Sequence, residues 1–137
     1  MSQALSFSLE GEPDGAAIDP VTGVFQWRPT LAQSPSTNRV TVLATDDGSP
    51  PLSGTQRLTI VVLHPAVPVL QAPSASGDGF RLTVDGDPGP DYLVESSTNL
   101  VDWIRVDTNS SPALPLEWMD PDAAGYPMRF YRFRLSP

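Results

Sequence analysis

Val40-Thr41-Val42-Leu43-Ala44-Thr45-Asp46-Asp47-Gly48-Ser49-Pro50-Pro51-Leu52-Ser53 decides the fold class. Val40, Val42 and Ala44 share one face of a period-2 alternation, the pattern of a half-buried strand and not of a helix. Residues 46–53 are then dense in Asp, Gly, Ser and Pro, which break the strand and turn the chain. Residues 57–63 resume the alternation, with Leu58, Ile60 and Val62 on one side. Strand, turn cluster and strand at this spacing predict antiparallel β-structure.

The same rhythm runs outward in both directions. Leu5, Phe7 and Leu9 alternate with Ser6 and Ser8, Thr22-Gly23 marks a tight turn, and Phe25 and Trp27 point to one face of a strand that Pro29 stops. Residues 33–38 read as a polar loop. Past His64, prolines at 65, 68 and 73 predict an extended, semi-rigid link in place of a central strand. Further strands follow around Phe80, Leu82 and Val84, at 92–96, 103–106, 114–119 and 128–135. In the last of these, Arg129, Tyr131, Phe133 and Leu135 fall on one side and Phe130, Arg132 and Arg134 on the other. The expectation is an all-β chain of two tandem antiparallel β-sandwiches, residues 1–64 and 65–137.

Composition removes whole classes of chemistry. All eight basic residues are Arg, there is no Cys, and His64 is the one histidine. Schiff-base lysines, P-loops, thiol nucleophiles and histidine-rich zinc sites are therefore excluded. Sixteen acids against eight bases leave a net charge of -8, which argues against nucleic acid and anionic membranes. Both halves are acidic: six acids and three Arg in residues 1–66, ten acids and five Arg in 67–137. No stretch approaches the roughly 18 apolar residues of a membrane span. Residues 1–4 lack the basic start and apolar run of a secretory signal.

Two motifs in the first half carry a resemblance. Ile18-Asp19-Pro20-Val21-Thr22-Gly23-Val24-Phe25-Gln26-Trp27-Arg28-Pro29 followed by Ala44-Thr45-Asp46-Asp47-Gly48-Ser49-Pro50-Pro51-Leu52-Ser53 resembles the cadherin-like, immunoglobulin-type repeats of bacterial surface proteins. The likeness implies a Greek-key sandwich strung in tandem with other domains. That pattern's opening strand, which should precede Leu5, is missing here. Either the chain is a fragment or another segment covers the open sheet edge, so neighbouring copies or other domains of a larger protein are expected partners. In the second half, Tyr92-Leu93-Val94-Glu95-Ser96-Ser97-Thr98-Asn99-Leu100-Val101-Asp102-Trp103 and Arg129-Phe130-Tyr131-Arg132 resemble a fibronectin type III-like module found at the ends of bacterial secreted proteins.

Each candidate site has a second explanation. Asp46 and Asp47 are the best candidate calcium ligands, because calcium takes carboxylate and carbonyl oxygens, yet Asp in a turn also caps backbone amides. Asp85, Asp87 and Asp91, and Asp120 with Asp122, pose the same choice. Trp27, Trp103, Trp118 and Tyr92 read as a sugar-stacking platform or as sandwich core, with core the preferred reading for Trp27 and Trp118; of the four, Trp118, in a proline-bounded strand, is the best candidate for exposure and so the candidate ligand-binding residue. Arg129, Arg132 and Arg134 bind an acidic partner, pair with local acids or guard a sheet edge. His64 has no nucleophile motif beside it, and Asn109-Ser110-Ser111 matches a glycosylation acceptor. The leading expectation is a non-catalytic extracellular or cell-surface spacer or adhesion fragment. Its rival is a carbohydrate-binding module that holds a secreted hydrolase on polysaccharide.

Overall fold

The computed structural model describes residues 3–136. The chain divides into two compact units, Met1–His64 and Pro65–Pro137. Both are built from antiparallel strands, and the described residues contain no α-helix, only 3-10 turns at Leu31–Gln33 and Ala123–Gly125.

In the first unit, β1 (Leu5–Glu10), the hairpin strands β2 (Ala17–Ile18) and β3 (Phe25–Gln26), β4 (Ser36–Asp46) and β5 (Ser53–Val62) follow in order. A three-stranded sheet runs β1-β4-β5, and β2 pairs with β3 alone. Register explains the alternation seen in the sequence. Leu9 lies opposite Val42 and Phe7 opposite Ala44, while Val40 faces Leu58 and Asn38 faces Ile60. Because side chains alternate across a strand, these residues share one sheet face.

The β2–β3 turn is held by its own residues. Asp19 Oδ1 accepts the amides of Val21 and Thr22, each at 2.8 Å. Gly23 donates to the Asp19 carbonyl at 2.9 Å with φ of 73°, and a Cβ there would stand 3.1 Å from the Phe7 ring. Only glycine meets both demands. Phe7 in turn donates its amide to the Pro20 carbonyl, which fastens the hairpin to β1.

The second unit holds β6 (Val69–Ser76), β7 (Gly79–Asp85), β8 (Asp91–Ser97), β9 (Ile104–Asn109), β10 (Leu116–Asp120) and β11 (Phe130–Ser136). They form two three-stranded sheets, ordered β10-β7-β6 and β11-β8-β9. One apolar core joins them: Leu82, Val84, Tyr92, Val94 and Trp118 are buried, and Phe80, Tyr131, Phe133 and Leu135 pack against them. Two antiparallel sheets over a shared core are a β-sandwich. Tyr131 stacks on Phe80 with ring centroids 4.9 Å apart, and Trp118 meets Tyr131 and Phe133 edge-on.

Three expectations need correction. Residues 36–38 belong to β4 and not to a loop; Ser36 and Asn38 are polar, but they pair with Val62 and Ile60, so the ladder outweighs their turn preference. The proline-rich link ends at 68, because residues 69–76 form β6. Proline is tolerated there since β6 is an edge strand whose register breaks between Gln71 and Ser74, placing Pro73 in a bulge beside Ala72 at φ 49°. Trp118 is not exposed: it is 7 % accessible, and its indole donates to Asp107 Oδ2 at 2.9 Å. Proline on either side of β10 shortens the strand without turning its inner face to water.

Candidate functional site

The residues that carry the second-half motif converge on the sheet formed by β8 and β11. Arg132 lies opposite Glu95 across the ladder. Its Nε and Nη2 donate to Glu95 Oε2 at 3.0 and 2.6 Å, and Arg134 Nη1 donates to Oε1 at 3.0 Å. Glu95 is 6 % accessible, and charged donors satisfy both of its carboxylate oxygens, though the arginines themselves stay part-exposed. Arg132 comes first among the causes that hold the Glu95 carboxyl below its ordinary range, with Arg134 adding to it and burial opposing. The same Arg132 guanidinium lies over the Trp103 ring, 4.3 Å from its centroid.

Arg129 anchors a second network. It pairs with Asp120 Oδ2 at 3.0 Å, donates to Ser96 Oγ at 3.0 Å and lies 4.2 Å from the Tyr126 centroid. Asp120 is 5 % accessible and also accepts the Tyr131 hydroxyl at 2.5 Å. Burial above all, and then the Asp120 carboxylate, push the Tyr131 hydroxyl well above the usual tyrosine range. A phenol held neutral in this way is a hydrogen-bond donor and not a base at physiological pH. Tyr92 is held neutral by burial first and by Asp87 and Asp85 next, and it donates to the Asp87 carbonyl at 2.8 Å.

Between β8 and β9 the loop 97–103 is tied to itself. Ser97 Oγ accepts the amides of Asn99 and Leu100, and Asn99 Oδ1 accepts those of Val101 and Asp102. Asn99 Nδ2 donates to Asp102 Oδ2 at 2.8 Å, while the Trp103 indole donates to the Leu100 carbonyl. A pocket opens over this loop, lined by Thr98, Asn99, Asp102, Trp103, Tyr126 and Arg129 among others. Its lining includes the Trp103 and Tyr126 rings, the Asn99 amide and the Asp102 carboxylate.

The acidic candidates Asp46, Asp47, Asp85, Asp87, Asp91 and Asp120 accept from nearby amides. Asp46 Oδ1 accepts from Gly48 at 3.0 Å and Leu52 at 2.9 Å, and Asp47 Oδ1 from Ala4 at 3.1 Å. Asp85 accepts from Gly86, Asp87 from Ala66, Asp91 from Ser111, and Asp120 from Asp122. Among the described residues, no three Asp, Glu or His side chains gather as a metal site would require. A cation at Asp46 and Asp47 would have to draw on main-chain oxygens and compete with the loop's own amides. Trp27 is half-buried, with its indole on the Asp14 carbonyl. His64 Nδ1 meets the Ser34 hydroxyl at 3.0 Å. Asn109 Nδ2, the atom a glycan would need, is buried.

Sequence reasoning missed Tyr126 and Asn99. Neither sits in an alternating strand, and only the fold carries Tyr126 from the last turn to the loop after β8. Compared with known protein families and with curated proteins, the chain has no match.

Proposed function

We propose that this chain is a non-catalytic spacer and adhesion fragment of a larger secreted or cell-surface protein. Its first unit is then a cadherin-like, immunoglobulin-type domain and its second a fibronectin type III-like sandwich. One observation carries the proposal: the motif residues are spent on the chain's own architecture. Asp19 and Gly23 hold a turn, Asp46 holds a loop, and Glu95, Arg132, Trp103 and Ser97 fasten β8 to β11 and shape the loop beside them. A domain whose recurring residues bind one another has a mechanical use for them, since charge-assisted and backbone hydrogen bonds between strands resist extension.

Pulling the chain by its ends in a force spectrometer tests this. Two unfolding events are expected, releasing about 220 and 250 Å at roughly 3.5 Å per residue. If either unit extends without measurable resistance, the spacer assignment fails.

The pocket beside Trp103 favours a second role, carbohydrate binding. An aromatic wall with an adjacent amide donor and carboxylate acceptor suits the ring face and vicinal hydroxyls of a sugar. Binding on a glycan array that Asp102→Ala and Tyr126→Ala both abolish would assign that role. Trp118, being buried, has no part in it.

A further inference from the structure

The second unit has four outer strand edges, and three are protected. β6 carries the bulge at Ala72 and Pro73. β9 slips register against β8 between Val94 and Glu95, leaving Val106 as an extra residue. β10 has five residues bracketed by Pro115 and Pro121. Bulges, prolines and shortness are the devices by which sheets avoid pairing with other chains. β11 has none of them: residues 130–136 pair with β8 without a break and contain no proline. Arg132 and Arg134 lie on the outer face of the sheet, where both pair with Glu95 on β8 while staying part-exposed beside the edge.

A groove opens at the Phe130 and Tyr131 end of that edge, lined mainly by these rings with Leu70, Pro73 and Phe80, and with Gln71 and Arg129 as its polar members. An extended segment pairing with β11 would place alternate side chains on the side of this mainly apolar groove and the others beside Arg132 and Arg134. Two arginines share one carboxylate there, so the outer face of β11 carries a surplus positive charge on a chain of net charge -8. Three of the chain's eight arginines lie between 129 and 134.

From the open edge, the groove and this charge, we infer that β11 is a strand-docking site. Its occupant is an extended peptide segment that alternates apolar with acidic residues, added to the β9-β8-β11 sheet by β-augmentation. A second copy pairing β11 with β11 in antiparallel register is disfavoured, because Arg132 and Arg134 would lie opposite arginines. The inference rests on the geometry of the second unit alone, so its failure leaves the spacer proposal standing.

The test uses the full chain and two synthetic peptides of about ten residues, one alternating valine with glutamate and one alternating valine with lysine. Hydrogen exchange is read at single amides. The glutamate peptide is expected to slow exchange at alternate amides of β11 by about tenfold or more, with β6, β9 and β10 unchanged. The lysine peptide should bind at least about tenfold more weakly. Arg134→Gln, whose side chain is 61 % exposed, should narrow that difference, with the far-ultraviolet circular dichroism of the variant checked against the wild type. Three results would overturn the inference: no protection of β11 by the glutamate peptide, equal protection by both peptides, or β11 protection that rises with protein concentration in the absence of peptide, which would make the occupant a second copy.

Discussion

The two units share an alphabet of alternating strands yet bury it to different depths. In the second, Leu82, Val84, Tyr92, Leu93, Val94 and Trp118 are buried, whereas in the first only Val40 is, among the described residues. Strand alternation is equally clear in both: Leu58, Ile60 and Val62 repeat as regularly as Leu82 and Val84. The difference lies in the second layer. A sheet removes its apolar face from water only when another layer covers it, and the first unit sets two-residue strands, β2 and β3, beside a long three-stranded sheet. The second unit sets one three-stranded sheet against another. Periodicity therefore specifies which face is apolar, and topology specifies whether that face is buried.

Tryptophan truncation in each unit is the sharpest way to break this contrast. Trp118→Ala should cost about 3–5 kcal/mol, since it removes a core ring and leaves a cavity between sheets. Trp27→Ala, at a half-buried position, should cost clearly less. Hydrogen exchange at β7 and β4 in the two variants reads the costs separately, and equal losses would show that the two cores do not differ in the way their burial suggests.

Next in size is the Glu95 network. Glu95→Gln should destabilise the second unit by about 1.5–3 kcal/mol at neutral pH, the scale of charge-assisted hydrogen bonds. The folded-state pKa of Glu95 is lowered, so its contribution is present above the ordinary carboxylate value of 4.5 and is lost as pH falls through the lowered value. Stability of the wild type against denaturant should accordingly fall toward that of Glu95→Gln in acid. A gap between the two that stays constant down to strongly acidic pH would contradict the linkage. Asp19 is lowered too, by the amides of Thr22 and then Val21, so the first unit should also weaken in acid, through a turn and not a buried ion pair.

The smallest effect separates a turn from a core. Gly23→Ala forces a side chain into left-handed backbone at φ 73° and against the Phe7 ring, at a cost of about 1–2 kcal/mol. Exchange should quicken in β1, β2 and β3 and stay unchanged in β7 and β8. Equal quickening in both units would mean that they unfold together.

Much of this was legible in the chain itself. Period-2 alternation marked β1, β4, β5, β7 and β11, because a strand's two faces meet different solvents and the residues record it. Turn chemistry located the break after Thr22-Gly23. β6 was hidden because prolines argue against a ladder, and only its edge position makes them tolerable. Trp118 was misplaced for a related reason: flanking residues report what a strand is joined to, not which sheet it faces.

What the sequence by itself determined is the class of the protein: all-β, acidic, without lysine or thiol chemistry, and divided near His64. These follow from residue identity and from neighbours one or two positions away. Tertiary structure alone decided that Glu95 is shared by Arg132 and Arg134, that Trp118 is core, and that β11 keeps an open edge beside a groove. Each of these brings together residues more than ten positions apart, and such contacts depend on sheet order and register, which no local pattern encodes.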